Sequence, residues 1–259
     1  MPKETLPLWP REHGAYAQLG VALACGAVLG HGSRGIFQAV LAVALFLASE
    51  PVLVLLGRRG EAARGASQVR AALRLVILGS VLLLAIFGAW IGAPAAHLLG
   101  LLPAAALGAI LFFLFLIRQE RTAAGEVVAA WAFSATAGSV VLLGDGGGRR
   151  ALLLALLLGG MFTLATAVVH CHILALKRGG AWFPRFAAFA LGAALCTWTG
   201  LAALHGSLPR AAGAALLPMT LAALWVWAAP PAPRQLKQVG WAATAMALLG
   251  GALAVFSLW

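Results

Sequence analysis

The chain has 259 residues, of which 63% are apolar and only 10% charged, and its net charge is +11. A soluble domain carries about 25% charged residues, so a chain this apolar is excluded from water as a globule and needs lipid as its solvent. The positive balance does not point to nucleic acid: arginine outnumbers lysine 15 to 3, and the bases sit at the ends of apolar runs, where membrane topology accounts for them.

A hydrocarbon layer of about 30 Å takes roughly 20 apolar residues per helix. Only helices and closed barrels satisfy their backbone there. The runs are rich in Leu and Ala and do not alternate, so they predict helices. The expected fold is therefore all-α: a polytopic bundle of nine transmembrane helices, over 15–30, 36–57, 70–92, 96–117, 124–143, 151–176, 183–204, 210–229 and 238–258. Short connections make 1–259 a single integral membrane domain, with 1–14 as a cytoplasmic N-terminal segment.

In chain order, MPKETLPLWP is polar and proline-rich, so no cleavable signal peptide is expected. REHGAY follows and places Arg11, Glu12 and His13 at the start of the first span, the shortest and among the most glycine-rich. The second span ends SEPVLVLLGRRG and the sixth ends VHCHILALKRGG. Each carries an ionisable residue shortly before a basic pair and a glycine, which reads either as a pseudo-repeat or as two ordinary helix ends. The basic pairs Arg58–Arg59 and Lys177–Arg178 suit an anionic head group and also serve as topology anchors. Glycines inside the runs (Gly26, Gly79, Gly108, Gly138, Gly159, Gly192, Gly213) let backbones approach closely. Cys25, Cys171 and Cys196 lie in apolar runs without a CxxC pair and read as small hydrophobes.

With nine spans, the end that holds the N-terminus collects all but four of the eighteen bases; the other end holds Arg34, Arg149, Arg150 and Arg210. The positive-inside rule then places the N-terminus in the cytoplasm and the C-terminus outside, in a bacterial cytoplasmic membrane. Of the acids only Asp145 falls outside, so any chemistry belongs to the cytoplasmic face. Glu50, Glu126 and His170 lie roughly 10 Å or less inside that face. Charges at such depth are costly, and the three are expected to share a polar pocket, the alternative being independent structural pairs such as Glu126 with Arg121. Side chains two apart on a helix point about 200° apart, so His170 and His172 cannot hold one metal ion together. No metal site is expected, and an axial haem ligand from either histidine stays open.

REHGAYAQL resembles the N-terminal signature of the YwiC-like family of bacterial integral membrane proteins. FFLFLIRQERTAAGEVVAAWAFSATAG and ATAVVHCHILALKRGG also fit that family's layout, although His170 and His172 stand where it usually carries lysine and threonine. The nine-span layout is similar to UbiA-type prenyltransferases as well, which implies a cavity open to the cytoplasm and to lipid. Their aspartate-rich motifs are missing at the matching places, so Mg²⁺ is disfavoured, and an enzyme here would be a divergent membrane transferase. The expectation is a cytoplasm-facing polar cavity for an isoprenoid, quinone or other lipid-like molecule, with Arg11, Glu12, His13, Glu50, Arg58, Arg59, Arg118, Glu126, His170, Lys177 and Arg178 as candidate contacts. Partners would be membrane lipid and a lipophilic small molecule, with no nucleic acid. The alternatives are a membrane scaffold or assembly factor and, with little polar character through the midplane, a transporter.

Overall fold

The structure, a computed structural model, describes residues 8–10 and 13–259, apart from the side chains at 13, 62, 63 and 66. Ten α-helices follow in order: α1 His13–Gly30, α2 Ser33–Leu55, α3 Glu61–Trp90, α4 Ala95–Leu99, α5 Leu102–Leu116, α6 Ala123–Leu143, α7 Gly148–Lys177, α8 Phe183–Leu204, α9 Leu217–Ala228 and α10 Leu236–Leu258. Among the described residues there is no strand. Seven segments are long and apolar enough to cross a membrane, and two more, Gly14–Gly30 and Ala212–Ala228, are apolar but shorter.

Proline interrupts two of the nine runs, and the break in the fourth gives the tenth α-helix. Pro103, second in α5, has no N–H to offer the Leu99 carbonyl, so the fourth run divides into α4 and α5. Pro218 likewise cannot reach back to Ala214, and Ala212–Leu216 tightens into a 3₁₀ turn ahead of α9. The first run starts slightly earlier than its apolar stretch, at His13.

α6 and α7 form the centre, with 56% of the apolar window of each buried. The core joins Leu29 of α1, Val141 of α6, Phe162 of α7, Met219 of α9 and Ala254 of α10. Glycine sets its spacing. A Cβ on Gly26 would stand 2.9 Å from the Ala137 carbonyl, and one on Gly138 would stand 2.8 Å from that of Ala151. α1 therefore lies directly on the α6 backbone, and α6 on that of α7. Gly159 and Gly192 are similarly crowded, by Trp131 and by Thr220 with Leu164. Gly79 and Gly108 face open space and Gly213 makes only ordinary contacts. The first two belong to the loosest spans: only 11% of Ser67–Trp90 and 6% of Ala95–Leu116 is buried.

The N-terminal approach is held against α2 and α3. Leu8 packs on Val54 and Ala71, and the Trp9 ring receives the Arg74 guanidinium at 4.3 Å.

Candidate functional site

At the end of the bundle where α2 and α7 finish, the two helices close in the same way. In α2 the Gly57 N–H reaches the Val54 carbonyl and the Arg58 N–H reaches that of Leu53. In α7 the Gly179 N–H reaches Leu176 and the Gly180 N–H reaches Ala175. Both are Schellman closures on a left-handed glycine, with φ of 68° at Gly57 and at Gly179. The capping glycine precedes the basic pair in α2 and follows it in α7. Aligned on that glycine, Glu50 corresponds to His172, each seven residues before it, and not to His170.

The two positions share an environment. Glu50 is 2% exposed and His172 is fully buried. Each takes an arginine Nε–H. Arg59 grips Glu50 with a fork, Nε to Oε1 at 2.8 Å and Nη2 to Oε2 at 2.6 Å. This planar, bidentate pairing allows a carboxylate to lie buried. Arg185, on the first turn of α8, donates Nε–H to His172 Nδ1 at 3.3 Å and Nη1–H to the Gly180 carbonyl at 3.2 Å.

His170 and Glu126 meet on the other side of α7, with His170 Nδ1 3.3 Å from Glu126 Oε2. The angles do not make this a hydrogen bond, and both side chains are partly exposed, so the contact is a weak electrostatic one. Glu126 lies in the first turn of α6, behind Thr122, whose Oγ1 accepts the Gly125 N–H as the N-cap. Glu50, Glu126 and His170 thus resolve into two pairs, each with its own partner.

Tyr16 of the HGAY stretch packs edge-on against Phe46 at 4.9 Å, and Phe46 against Phe133 at 6.0 Å. Phe46 is one turn before Glu50, so the start of α1 is held beside the Glu50–Arg59 pair. His13 opens α1, but its side chain, like Arg11 and Glu12, lies outside the described residues. Arg58, Lys177 and Arg178 are exposed around this end. Arg118 is exposed too, and its backbone, with φ of 60°, closes α5 at a position that favours glycine.

The opposite end is used differently. Arg34, Arg149 and Arg150 each donate to a carbonyl near a helix C-terminus: Gly92 after α3, Ser207 after α8 and Trp259 after α10. These bases complete the ladder where carbonyls lack partners.

Arg185 was the residue that sequence reasoning placed only as one base among many. A basic residue inside the first turn of an apolar helix, where aspartate or glutamate is the favoured choice, is the signal that marked it. Among the described residues no three of His, Cys, Asp and Glu gather to hold a metal ion. Two apolar hollows lie away from the pairs. The larger, about 460 Å³, lies between α1 and α10 beside Cys25, Leu248 and Trp259.

Apolar helices long enough to span, a glycine-spaced core and ionisable groups confined to the helix ends define a multi-pass helical membrane protein. Residues 9–141, more than half of the chain, match the model of the YwiC-like protein family, and the chain belongs to that family. The matched region holds the Tyr16–Phe46 contact and the Glu50–Arg59 pair, while the His172–Arg185 pair lies beyond it. No curated protein and no solved structure matches the chain.

Proposed function

We propose that this protein binds a lipid-like amphipathic molecule, an isoprenoid, a quinone or a similar compound, at the end of the bundle where α2 and α7 finish. That end faces the cytoplasm of a bacterial cell in this reading, with the N-terminus inside and the C-terminus outside. The observation that carries the proposal is the placement of polar groups. The Glu50–Arg59 and Glu126–His170 pairs come from the second, fifth and sixth spans and lie at one end, beside exposed Arg58, Lys177 and Arg178. At the far end, three of the four bases are spent on helix carbonyls. Glu126 and His170, half-open to their surroundings, would meet a polar head; Arg58, Lys177, Arg178 and Arg118 would attract an anionic one; Arg11, Glu12 and His13 would stand at the mouth. Mg²⁺ has no part in this reading: both Glu50 oxygens are taken by Arg59, and imidazole is a poor substitute for carboxylate.

Native mass spectrometry of the protein extracted in mild detergent tests the proposal. A stoichiometric isoprenoid or quinone, lost in Glu126→Gln combined with His13→Ala, is the expected result. A folded protein that carries only annular phospholipid, with the variant indistinguishable from it, refutes the reading. Orientation is tested separately: alkaline phosphatase fused after Gly146 should be active, and fused after Gly60 inactive.

A second reading, a non-catalytic scaffold or assembly factor, draws on the two spans with 11% and 6% of their windows buried. Their faces would receive another membrane protein, and co-purification of a stoichiometric partner from native membranes would favour it.

A further inference from the structure

α1 and α10 lie side by side and run in the same direction, with Val21 near Gly251 and His31 against Trp259. A Cβ on Gly251 would stand 2.9 Å from Val21 and 3.0 Å from the Cys25 sulfur, so the two helices touch there. Beside that contact lies the apolar hollow of about 460 Å³, within the roughly 300–1,000 Å³ of small-molecule sites. Val21 and Cys25 are its buried floor, and Val28, Leu248 and Phe256 its exposed walls. Ala24 and Ala252, the smallest side chains on the lining, leave it room.

Length selects the occupant. The lining runs from Val21 to Val28 on α1 and from Leu248 to Trp259 on α10, about 10 and 17 Å at the usual helical rise. One leaflet supplies about half of a hydrocarbon layer of roughly 30 Å. The hollow therefore matches a hydrocarbon chain of a single leaflet. A partner's transmembrane helix would run the full thickness and needs a face about twice as long.

Charge selects its head group. The Trp259 ring closes the hollow at the membrane edge, the depth at which tryptophan marks the head-group layer. The His31 ring meets it edge-on at 4.8 Å, and Arg150 Nη2–H donates to the Trp259 carbonyl at 3.0 Å. That bond uses one of the five N–H donors of an exposed guanidinium. Asp145, the acid on the neighbouring α6–α7 turn, forms no ion pair among the described residues. A guanidinium with donors to spare matches phosphate oxygens in charge and in geometry.

We propose that the hollow between α1 and α10 holds one acyl chain of a glycerophospholipid whose phosphate meets Arg150. The site is at the opposite end of the bundle from Glu126 and His170 and does not depend on binding there.

The full chain in dodecyl maltoside micelles is irradiated with phosphatidylcholine that carries a photoreactive diazirine in one acyl chain, and the attachment points are mapped by mass spectrometry. Unlabelled phosphatidylcholine and diacylglycerol, which lacks the phosphate, serve as competitors. The expected result is saturable labelling within 21–28 and 248–259, reduced at least tenfold in Ala252→Trp. Phosphatidylcholine should compete at least fivefold better than diacylglycerol, and Arg150→Gln should erase that difference. Labelling that does not saturate and spreads along the exposed faces of α3 and α5 overturns the proposal, as does labelling that survives in Ala252→Trp. Equal competition by the two lipids in the wild-type protein, or a difference that Arg150→Gln retains, overturns the phosphate contact and the proposal with it. Should Ala252→Trp fail to fold, Val28→Trp takes its place, and the wild-type map and competition still decide. Because the label maps far from Glu126 and His170, failure here and failure of the binding proposal are read separately.

Discussion

Single residues at the helix ends separate roles that their chemical type leaves alike. Glu50 and Glu126 are both glutamates near the membrane edge, yet one is gripped by a guanidinium fork in the protein and the other touches a histidine at a loose angle. Glu50→Ala would leave Arg59 largely buried beside an empty place, and should lower stability by about 3 kcal/mol in reversible denaturation from detergent. Glu126→Gln should change stability by under about 1 kcal/mol, the range of exposed pairs. Arg118 offers the reverse test. It closes α5 in the left-handed region, so Arg118→Gly should raise stability by roughly 1 kcal/mol, seen as a higher melting temperature. The side chain types were plain in the sequence; the partners were not. Rotation about a helix axis decides whether His170 or His172 matches Glu50, and the basic pair masked it by following the closing glycine in α2 and preceding it in α7. Only the hydrogen bonds of the two closing glycines set the register.

Helices were the most legible level. Apolar run length fixes where a chain can cross lipid, and six of the nine expected runs begin and end within three residues of a single helix. Two proline positions, Pro103 and Pro218, did not interrupt the apolar pattern but did interrupt the backbone ladder. The α3 helix also begins nine residues ahead of its apolar run, at Glu61, because the polar stretch EAARGASQVR lies outside lipid and keeps helical geometry without apolar content. Composition likewise could not tell a packing glycine from an idle one. Gly26 and Gly138 touch carbonyls of the next helix, while Gly79 and Gly108 touch nothing within 4 Å. Gly26→Ala and Gly138→Ala should each cost about 1–3 kcal/mol by overpacking. Gly79→Ala and Gly108→Ala should be neutral or gain up to about 1 kcal/mol from helix propensity. Comparing melting curves of the four variants checks both arms, and a loss at Gly79 as large as that at Gly26 would show that α3 is covered in the detergent-solubilised protein.

For the whole molecule, burial is unequal across the bundle. α6 and α7 are enclosed, whereas Leu83, Leu84 and Phe87 of α3 and Phe112 and Phe113 of α5 are more than half exposed. In bilayers a spin label at position 84 or 113 of a cysteine-free variant should relax with lipid-soluble oxygen, and a label at 158 should not. Protection at 84 and 113 in native membranes, lost on dilution into detergent, would instead reveal a partner on that flank.

The bundle also contains helices of unequal reach. α7 runs for 30 residues, about 45 Å at the usual rise, while the apolar part of α1, Gly14–Gly30, spans about 25 Å against a hydrocarbon layer of about 30 Å. The 3₁₀ turn before α9 stretches the other short run; α1 shows no such turn among the described residues. On the flank where α1 borders α10, a bilayer that thins to the described apolar length of α1 would do so at a cost of fractions of a kcal/mol per Å. Acyl chains there would be shorter or more splayed than those around α7, so membrane thickness itself becomes a variable to which this fold responds.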